Sequence, residues 1–327
     1  MKLGIFFALL SRFNIDFQEG LKFVADLGIK AVELAPGGKG GSHLDLEELL
    51  KSRTKCKETL KLIADHGLII SAFDGHGNPV HPNRETAEAA RTKFENIVNL
   101  AEMMGVDKVI GFSGCPGDAP GAKHPNWIAQ PWPDEFYEVL QYQWNDELIP
   151  YWTRAAEYAK AHGVRICIEP HPGFAVYNPE TLLKLRKAVG DTIGCNYDPS
   201  HFFWQGIDPS VAVFELGSAI FHTHIKDTRV DKVNVLKNGV IDTKHYSQIK
   251  DRAWVFRTVG YGHDAQVWKD IILALKLVGY DGVLSIEHED AAMSLREGIL
   301  KAAAFMKEII IEEGTDGVYE SIYPVKK

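Results

Sequence analysis

Apolar positions along the chain fall into a repeated unit, in which an amphipathic segment ends at a Gly and a short apolar run follows. The unit is clear in FVADLGIKAVEL (23–34) and LIADHGLIISAF (62–73), and it recurs at 101–112, 158–169 and 275–287. A Gly just past a helix end accepts the left-handed conformation that closes the helix. The apolar runs are nearly continuous rather than alternating, which is typical of parallel strands covered on both faces. The pattern therefore predicts helix–strand units of a parallel α/β protein.

Three further apolar runs bring the number of predicted strands to eight: LGIFF (3–7), TIGCNYD (192–198) and AIFHTHIKD (219–227). Eight βα units fit a closed (β/α)8 TIM barrel. We therefore predict the α/β class, with a single TIM-barrel domain over residues 1–327. An open doubly wound sheet is the alternative, but FFALLSRFN after the first strand is not the glycine-rich phosphate loop that such sheets often carry.

The predicted connections after strands 4 and 7 are long. They span about 112–134 and 227–263, and a shorter connection spans about 74–84 after strand 3. Each follows the carboxyl end of a strand, where the chemistry of a barrel is located, and long loops of this kind are often functional. GGKGG (37–41) lacks the GxGxxG form, and we interpret it as a flexible loop.

Four successive predicted strands stop at a side chain that can bind a metal. Strand five ends at Glu169, strand six at Asp198, strand seven at His224 and strand eight at Glu287. In a closed parallel barrel these residues converge on one rim, where three carboxylates would repel each other unless a divalent cation keeps them ionised. Carboxylate-rich ligation with one imidazole suits Mn²⁺, Mg²⁺ or Co²⁺ better than a structural zinc, and a Zn²⁺ ion in such a site is the alternative. We therefore predict one divalent metal ion.

Each of these residues also has a structural interpretation. A single Glu or Asp at a strand end is commonly a helix cap or a surface charge, and a single His is commonly a buried core residue. Alternation along FHTHIKD puts His222 and His224 on the same strand face. The coincidence over four successive strands favours one metal site over four independent structural roles.

Charge and cysteine content narrow the class of protein. The 327 residues carry a formal net charge of -8, with 45% hydrophobic and 24% charged residues, so we expect a folded chain that does not bind nucleic acid. The four cysteines are scattered and form no CxxC pair, which favours reduced thiols in a cytoplasmic protein. We interpret MKLGIFFALLSRF as the first strand rather than a signal peptide, and we expect no membrane span, because no apolar run is long enough.

The sequence around the four strand ends resembles a known family. CIEPHPG, NYDPSH, HTHIKD and SIEHED follow one another as in the xylose isomerase-like TIM barrels, the superfamily of sugar phosphate isomerases and epimerases. The resemblance implies that the four strand-end residues hold one divalent metal. In the ketose 3-epimerases of this family, the glutamates matching Glu169 and Glu287 act as acid and base, and the histidine matching His201 contacts the substrate.

The resemblance implies a divalent-metal-dependent sugar isomerase or epimerase. Such an enzyme abstracts a proton next to a carbonyl, and the metal stabilises the resulting metal-bound ene-diolate. Glu169 and Glu287 could flank the substrate, one removing the proton and the other returning it.

Other activities fit the same resemblance. A 3-oxo-glycoside eliminating lyase, similar to the α-subunits of C-glycoside deglycosidases, would use the same metal site and would need a small partner subunit. We expect a keto-sugar or glycoside as substrate in either case. An endonuclease-IV-like nuclease is less favoured because the chain is acidic, and a non-catalytic sugar binder because it would not need all four ligand positions. Barrels of this kind often form homo-oligomers, although no sequence feature sets the oligomeric state.

Further residues near the predicted strand ends are candidates for contacts with the substrate. Aromatic rings stack on the apolar faces of sugars, and Trp offers a large contact area. The structural alternative is a salt bridge for the cations, a turn for the loop histidine and loop packing for the tryptophans. The candidates are His76, His171, His201, Lys226, Arg257, Trp127 and Trp204.

Overall fold

The computed structural model describes residues 1–13, 15–37 and 43–313. Within these residues the strands are β1 (Lys2–Phe6), β2 (Ala31–Leu34), β3 (Ile69–Asp74), β4 (Lys108–Phe112), β5 (Arg165–Glu169), β6 (Ile193–Tyr197), β7 (Ile220–Ile225), β8 (Asp227–Val230), β9 (Trp254–Arg257) and β10 (Val283–Ile286).

Eight of these strands form a closed parallel barrel. Their order around the barrel is β1-β10-β7-β6-β5-β4-β3-β2, and β1 closes it by pairing with both β10 and β2. The predicted (β/α)8 barrel is therefore confirmed, and its eighth strand is β10. The extent of a single domain over all of residues 1–327 stays a prediction.

Helices connect the strands and cover the outside of the barrel. The α-helices are α1 (Phe17–Asp26), α2 (Leu46–Lys51), α3 (Arg53–Asp65), α4 (Arg84–Met104), α5 (Glu135–Tyr142), α6 (Ile149–Ala161), α7 (Pro179–Val189), α8 (Pro199–Gln205), α9 (Pro209–Leu216), α10 (Lys232–Asn238), α11 (Ala265–Leu277) and α12 (Leu295–Ile309). A 3₁₀-helix follows β1 (Phe7–Phe13), and a π-helix joins α5 to α6 (Gln143–Leu148).

The helix–Gly–strand units of the sequence are present in the structure. Gly105 ends α4 with a φ of 69°, in the left-handed region, and β4 begins three residues later. Gly28, Gly67, Gly163 and Gly279 precede the other strands of these units and also have positive φ. A residue with a Cβ would be strained in this conformation, so the glycines allow the short turn from helix to strand.

The main hydrophobic core lies between the barrel and its helices. Trp152 on α6 and Trp268 on α11 are its two largest fully buried side chains, and Trp144 is also buried. The Trp152 Nε1–H donates to the carbonyl of Ser113 at 2.8 Å, which ties α6 to the chain just after β4. The core thus fixes the helices against the strands whose carboxyl ends carry the polar residues.

The two long connections differ in structure. Residues 113–134, after β4, contain no helix or strand. The connection after β7 is more regular than its sequence indicates, because β8 and β9 pair as an antiparallel ribbon and α10 lies between them. Residues 38–41 of the expected GGKGG loop lie outside the described residues. Among the described helices, none is both long and apolar enough to cross a membrane.

Candidate metal centre and active site

The four predicted ligands converge at the carboxyl ends of neighbouring barrel strands. Glu169 ends β5, Asp198 directly follows β6, His224 lies on β7 and Glu287 directly follows β10. One donor atom from each of them lies within 4.8 Å of the donor atoms of the others. Glu169, Asp198 and His224 are buried, and the Glu287 side chain is 14% exposed. These four residues are called the ligand cluster below.

Two donor atoms of the ligand cluster are buried and make no hydrogen bond. They are Asp198 Oδ2 and His224 Nδ1. His224 Nδ1 lies 3.2 Å from Glu169 Oε2 and 3.1 Å from Glu287 Oε2, but without hydrogen-bond geometry. Asp198 Oδ2 has an ion-pair partner in Lys226 Nζ at 3.1 Å, but His224 Nδ1 has only carboxylate oxygens beside it. Because a buried nitrogen without a hydrogen bond is destabilising, the residues fit a divalent cation that would bind both atoms.

Asp198 combines a structural role with the predicted ligand role. It is the N-cap of α8, where its Oδ1 accepts a hydrogen bond from the backbone N–H of Ser200 at 2.9 Å. Pro199 occupies the first turn of α8, a position that lacks a backbone partner in any case. The cap fixes the carboxylate and leaves Oδ2 directed to the ligand cluster. The helix cap is therefore present and is compatible with the ligand role, which stays a prediction.

Glu33 on β2 is a part of the site that sequence reasoning missed. Its carboxylate oxygens lie 3.0 and 3.1 Å from His224 Nε2, and Ser285 Oγ donates to Oε2 at 2.7 Å. Since a carboxylate only accepts, Nε2 carries a proton, and Nδ1 is the nitrogen that faces the ligand cluster. The available signal was a carboxylate inside the apolar run AVEL, where a strand buried on both faces rarely carries one.

Asn196 and His222 support Glu169 from inside the barrel. The Asn196 Nδ2–H donates to Glu169 Oε2 at 2.9 Å, and Asn196 Oδ1 lies 2.8 Å from His222 Nδ1. His222 Nε2 lies 3.1 Å from Ser71 Oγ. Glu33, His222 and His224 form a second group with ligand-like spacing, but both nitrogens of His222 have partners. The ligand cluster is therefore the better cation site.

Lys226 compensates the negative charge of the site. Its Nζ lies 2.8 Å from Glu287 Oε2, 3.1 Å from Asp198 Oδ2 and 3.1 Å from Glu289 Oε2. Burial lowers the pKa of Lys226, but these carboxylates outweigh burial and raise the pKa well above its usual value. The ammonium group therefore stays charged.

Neighbouring side chains keep the two glutamates ionised. Burial raises the pKa of Glu169, but His224 and His201 outweigh it, so the pKa lies well below its usual value. Burial likewise raises the pKa of Glu287, and Lys226 and His224 lower it below its usual value. Both side chains are thus available as carboxylates, whether as ligands or as proton acceptors.

Residues 21–309 match the family model described as xylose isomerase-like TIM barrel. The chain belongs to this family. The membership confirms the resemblance inferred from the motifs at the four strand ends.

Two related proteins show how widely the similarity extends. The uncharacterized protein YfiH of Bacillus subtilis is 40% identical over 301 residues, which cover 91% of this chain and 96% of YfiH. The inosose dehydratase of Mesomycoplasma hyopneumoniae (strain J) is 23% identical over 281 residues, which cover 84% of this chain and 82% of the dehydratase.

Two solved structures of similar fold are the IOLI protein with a zinc atom and the D-psicose 3-epimerase of Clostridium cellulolyticum H10 with D-tagatose. The IOLI structure has a TM-score of 0.64 at 19% identity and covers 95% of this chain and 98% of IOLI. The epimerase has a TM-score of 0.59 at 15% identity and covers 94% of this chain and 98% of the epimerase. At these identities the likeness concerns the fold.

In this xylose isomerase-like barrel, all three predicted substrate-contact histidines lie beside the ligand cluster. His201 Nε2 is 3.3 Å from Glu169 Oε1 and 3.3 Å from Asp198 Oδ2. His76 Nδ1 is 2.9 Å from Asp74 Oδ1, and its Nε2 is 3.4 Å from Glu169 Oε2. His171 packs against His201, with ring centroids 4.0 Å apart, and burial lowers its pKa to about 3, so it is neutral.

The other predicted contacts have structural partners. Arg257 Nε donates to Asp290 Oδ2 at 2.9 Å, which is the loop-anchoring ion pair weighed as its alternative. Trp204 stacks on Trp254 at 4.5 Å, and Trp127 packs edge-on against Tyr177 at 5.5 Å. A contact of Arg257, Trp127 or Trp204 with the substrate stays a prediction.

Proposed function

We propose that the chain is a divalent-metal-dependent sugar isomerase or epimerase, which removes a proton from the carbon next to a carbonyl. The observation that carries this proposal is the ligand cluster, where Asp198 Oδ2 and His224 Nδ1 are buried, make no hydrogen bond and lie close to the carboxylates of two ionised glutamates. Three carboxylates and one imidazole suit Mn²⁺, Mg²⁺ or Co²⁺. The IOLI protein, which shares the fold, carries zinc.

The protein's own residues provide the acid–base chemistry. A bound cation would polarise the carbonyl as a Lewis acid. Glu169 is held by the Asn196 amide at 2.9 Å and Glu287 by the Lys226 ammonium at 2.8 Å. Each carboxylate is therefore oriented. The ionised one can take up the substrate proton, and the other, once protonated from solvent, can deliver a proton from the opposite face. Return to the same carbon from the opposite face gives epimerisation, and return to the neighbouring carbon gives isomerisation.

Elimination is the second candidate, because Lys226 places an ammonium group 2.8 Å from Glu287 Oε2, beside one of the two bases. The inosose dehydratase of Mesomycoplasma hyopneumoniae is a relative over 84% of this chain. In an elimination the C–H bond breaks, its electron pair forms a C=C bond, and an oxygen leaves from the adjacent carbon. Lys226 Nζ could donate a proton to this oxygen. A hydroxyl would leave as water, and the aglycone of a 3-oxo-glycoside would leave as the free alcohol.

Hydrogen exchange in D2O tests the proposed function. The chain loaded with Mn²⁺ or Co²⁺ is incubated with ketoses, inososes and 3-oxo-glucosides, and NMR follows deuterium at the carbon next to the carbonyl. We expect Glu169→Gln and Glu287→Gln each to slow exchange by about 10²–10⁴-fold, the usual contribution of a general acid or base. An unsaturated product or a released alcohol would select elimination over epimerisation.

The control for this test is Glu297→Gln, which changes an exposed glutamate on α12. It should leave exchange unchanged. If exchange persists at the normal rate when both Glu169 and Glu287 are replaced, the two-glutamate mechanism is wrong.

A further inference from the structure

A cavity of about 680 Å³ opens beside the ligand cluster. The proposed proton transfer does not require it. It lies between strand β9, the segment His288–Leu295 after β10, and Arg12 in the first 3₁₀-helix. Pockets of about 300–1,000 Å³ hold drug-sized ligands. The cavity therefore has room for a molecule larger than a free six-carbon sugar.

The inner end of this cavity adjoins the polar residues of the site. The ring of Phe256, which lines the cavity, lies 4.8 Å from Lys226 Nζ and 5.5 Å from the ring of His201. His171, which packs on His201, and Glu289, which is 3.1 Å from Lys226 Nζ, also line it. A ligand could therefore reach from the ligand cluster into the cavity.

One wall of the cavity is aromatic and apolar. Tyr246 and Phe256 stand nearly parallel, with ring centroids 5.9 Å apart and an interplanar angle of 18°. The guanidinium group of Arg252 lies over the Tyr246 ring at 4.4 Å, which adds a cation–π contact. Val255 and Met293 extend the apolar surface. Because these contacts hold the Tyr246 ring in place, binding against it loses little conformational entropy.

The side chain of Tyr246 is much more exposed to solvent than those of the aromatic residues around it. It is 51% exposed although it belongs to an aromatic group with Trp254 and Phe256. A planar apolar group in the cavity would cover this ring and remove apolar surface from water. The polar groups at the rim, among them Arg12 and Glu289, stay in reach of hydroxyl groups.

We propose that the substrate is a glycoside-type molecule, with a polyhydroxylated carbonyl end at the ligand cluster and a planar apolar substituent, such as an aryl aglycone, against Tyr246 and Phe256. This inference rests on the proposed function, since it names the substrate class of the same site. It applies to epimerisation of an aryl-substituted oxo-sugar, and also to elimination in which the C–O bond to the aryl aglycone breaks and the aglycone leaves as a phenol.

Binding of unreactive glycosides tests the inference without turnover. The Mn²⁺-loaded chain is titrated by calorimetry with phenyl and methyl D-glucopyranosides, each as both anomers. We expect the phenyl glycoside of at least one anomer to bind about tenfold more tightly than its methyl counterpart, as burial of one aromatic ring allows. Equal affinities, or no binding by either glycoside, would overturn the inference.

Variants of the cavity wall test whether the phenyl group binds in this cavity. Tyr246→Ala removes the aromatic wall and Val255→Trp fills the cavity, so both should abolish most of the preference for phenyl. Tyr246→Phe should retain the preference, as should Tyr137→Ala, which removes an exposed tyrosine on α5. If the preference survives in both Tyr246→Ala and Val255→Trp, the aryl group does not bind in this cavity.

The inference and the proposed function fail in different ways. Absence of deuterium exchange with any substrate would contradict the proposed proton abstraction, whatever the glycosides do. Exchange with carbonyl sugars but no preference for phenyl would contradict only the inferred substrate class.

Discussion

His224 uses its two ring nitrogens for different purposes. Nε2 donates to the Glu33 carboxylate at 3.0 Å, and Nδ1 is left to the ligand cluster, where it has no hydrogen-bond partner. Asp198 divides its oxygens in the same way, since Oδ1 caps α8, whereas Oδ2 makes no hydrogen bond and lies 3.1 Å from Lys226 Nζ. In both residues the structural bond sets the orientation of the atom that would bind a cation.

Glu33 should therefore be a positioning residue for the metal. We expect Glu33→Gln, which removes the negative charge from the bond to His224, to weaken Mn²⁺ affinity about 10–100-fold, the usual effect of losing such a partner. Isothermal titration of the metal-free chain with Mn²⁺ measures this directly and does not depend on activity. Glu297→Gln is the matched control, and unchanged affinity in Glu33→Gln would contradict the role.

Asp227 organises the element that covers one side of the site. It begins β8, and its Oδ2 accepts backbone hydrogen bonds at 3.0 Å from Gly260, Gly262 and His263 and a 3.2 Å bond from Trp268 Nε1. These bonds connect the start of the β8–β9 ribbon to the turn that leads into α11. One buried carboxylate thus anchors the ribbon that carries Phe256.

Replacement of this carboxylate should loosen the ribbon. In Asp227→Asn an amide NH2 takes the place of one acceptor oxygen and leaves buried N–H donors unpaired. We expect a loss of about 1–3 kcal/mol in the free energy of unfolding, together with faster limited proteolysis within residues 227–263. Urea unfolding measures the first effect.

Asp264→Asn is the control from the same segment. Asp264 is an exposed N-cap of α11, and Asn caps a helix about as well as Asp, so stability should hardly change. Equal stability of Asp227→Asn and the unchanged chain would contradict the anchoring role of Asp227.

The four residues of the ligand cluster lie on one arc of the barrel. Strands β5, β6, β7 and β10 are consecutive neighbours around it, while Glu33 reaches His224 from β2, which lies on the far side. A cation held by this arc would bind the folded chain and not the unfolded one, so it should stabilise the whole barrel.

Metal loading should accordingly raise the melting temperature. With Mn²⁺ at a hundred times its dissociation constant we expect about 2.7 kcal/mol of added stability, seen as a higher melting temperature by calorimetry and reversed by a chelator. Asp198→Asn should lose most of this increase. Asp208→Asn, an exposed N-cap of α9, should keep it, and an equal increase in both variants would rule out Asp198 as a ligand.

The barrel and the four strand-end residues were predictable from the sequence, because their signals are local. A helix that ends at Gly, a short apolar run and a polar residue at its end all lie within about a dozen positions, and four such ends in succession indicate a shared rim. The ribbon within 227–263 was not predictable in this way. Its strands are short and its hydrogen bonds join residues some thirty positions apart, such as Asp227 and Arg257.

The parallel barrel, the family and the convergence of four strand-end residues follow from the order of amino acids alone; these residues are Glu169, Asp198, His224 and Glu287. Three features required the folded structure: which donor atoms of these residues make no hydrogen bond, the contact of Glu33 with His224 across 191 positions of the chain, and the cavity wall formed by Tyr246 and Phe256. The apolar runs and the glycines that end helices are signals between residues close together in the chain. Contacts across the barrel join residues far apart in the chain, and they form only when the barrel closes.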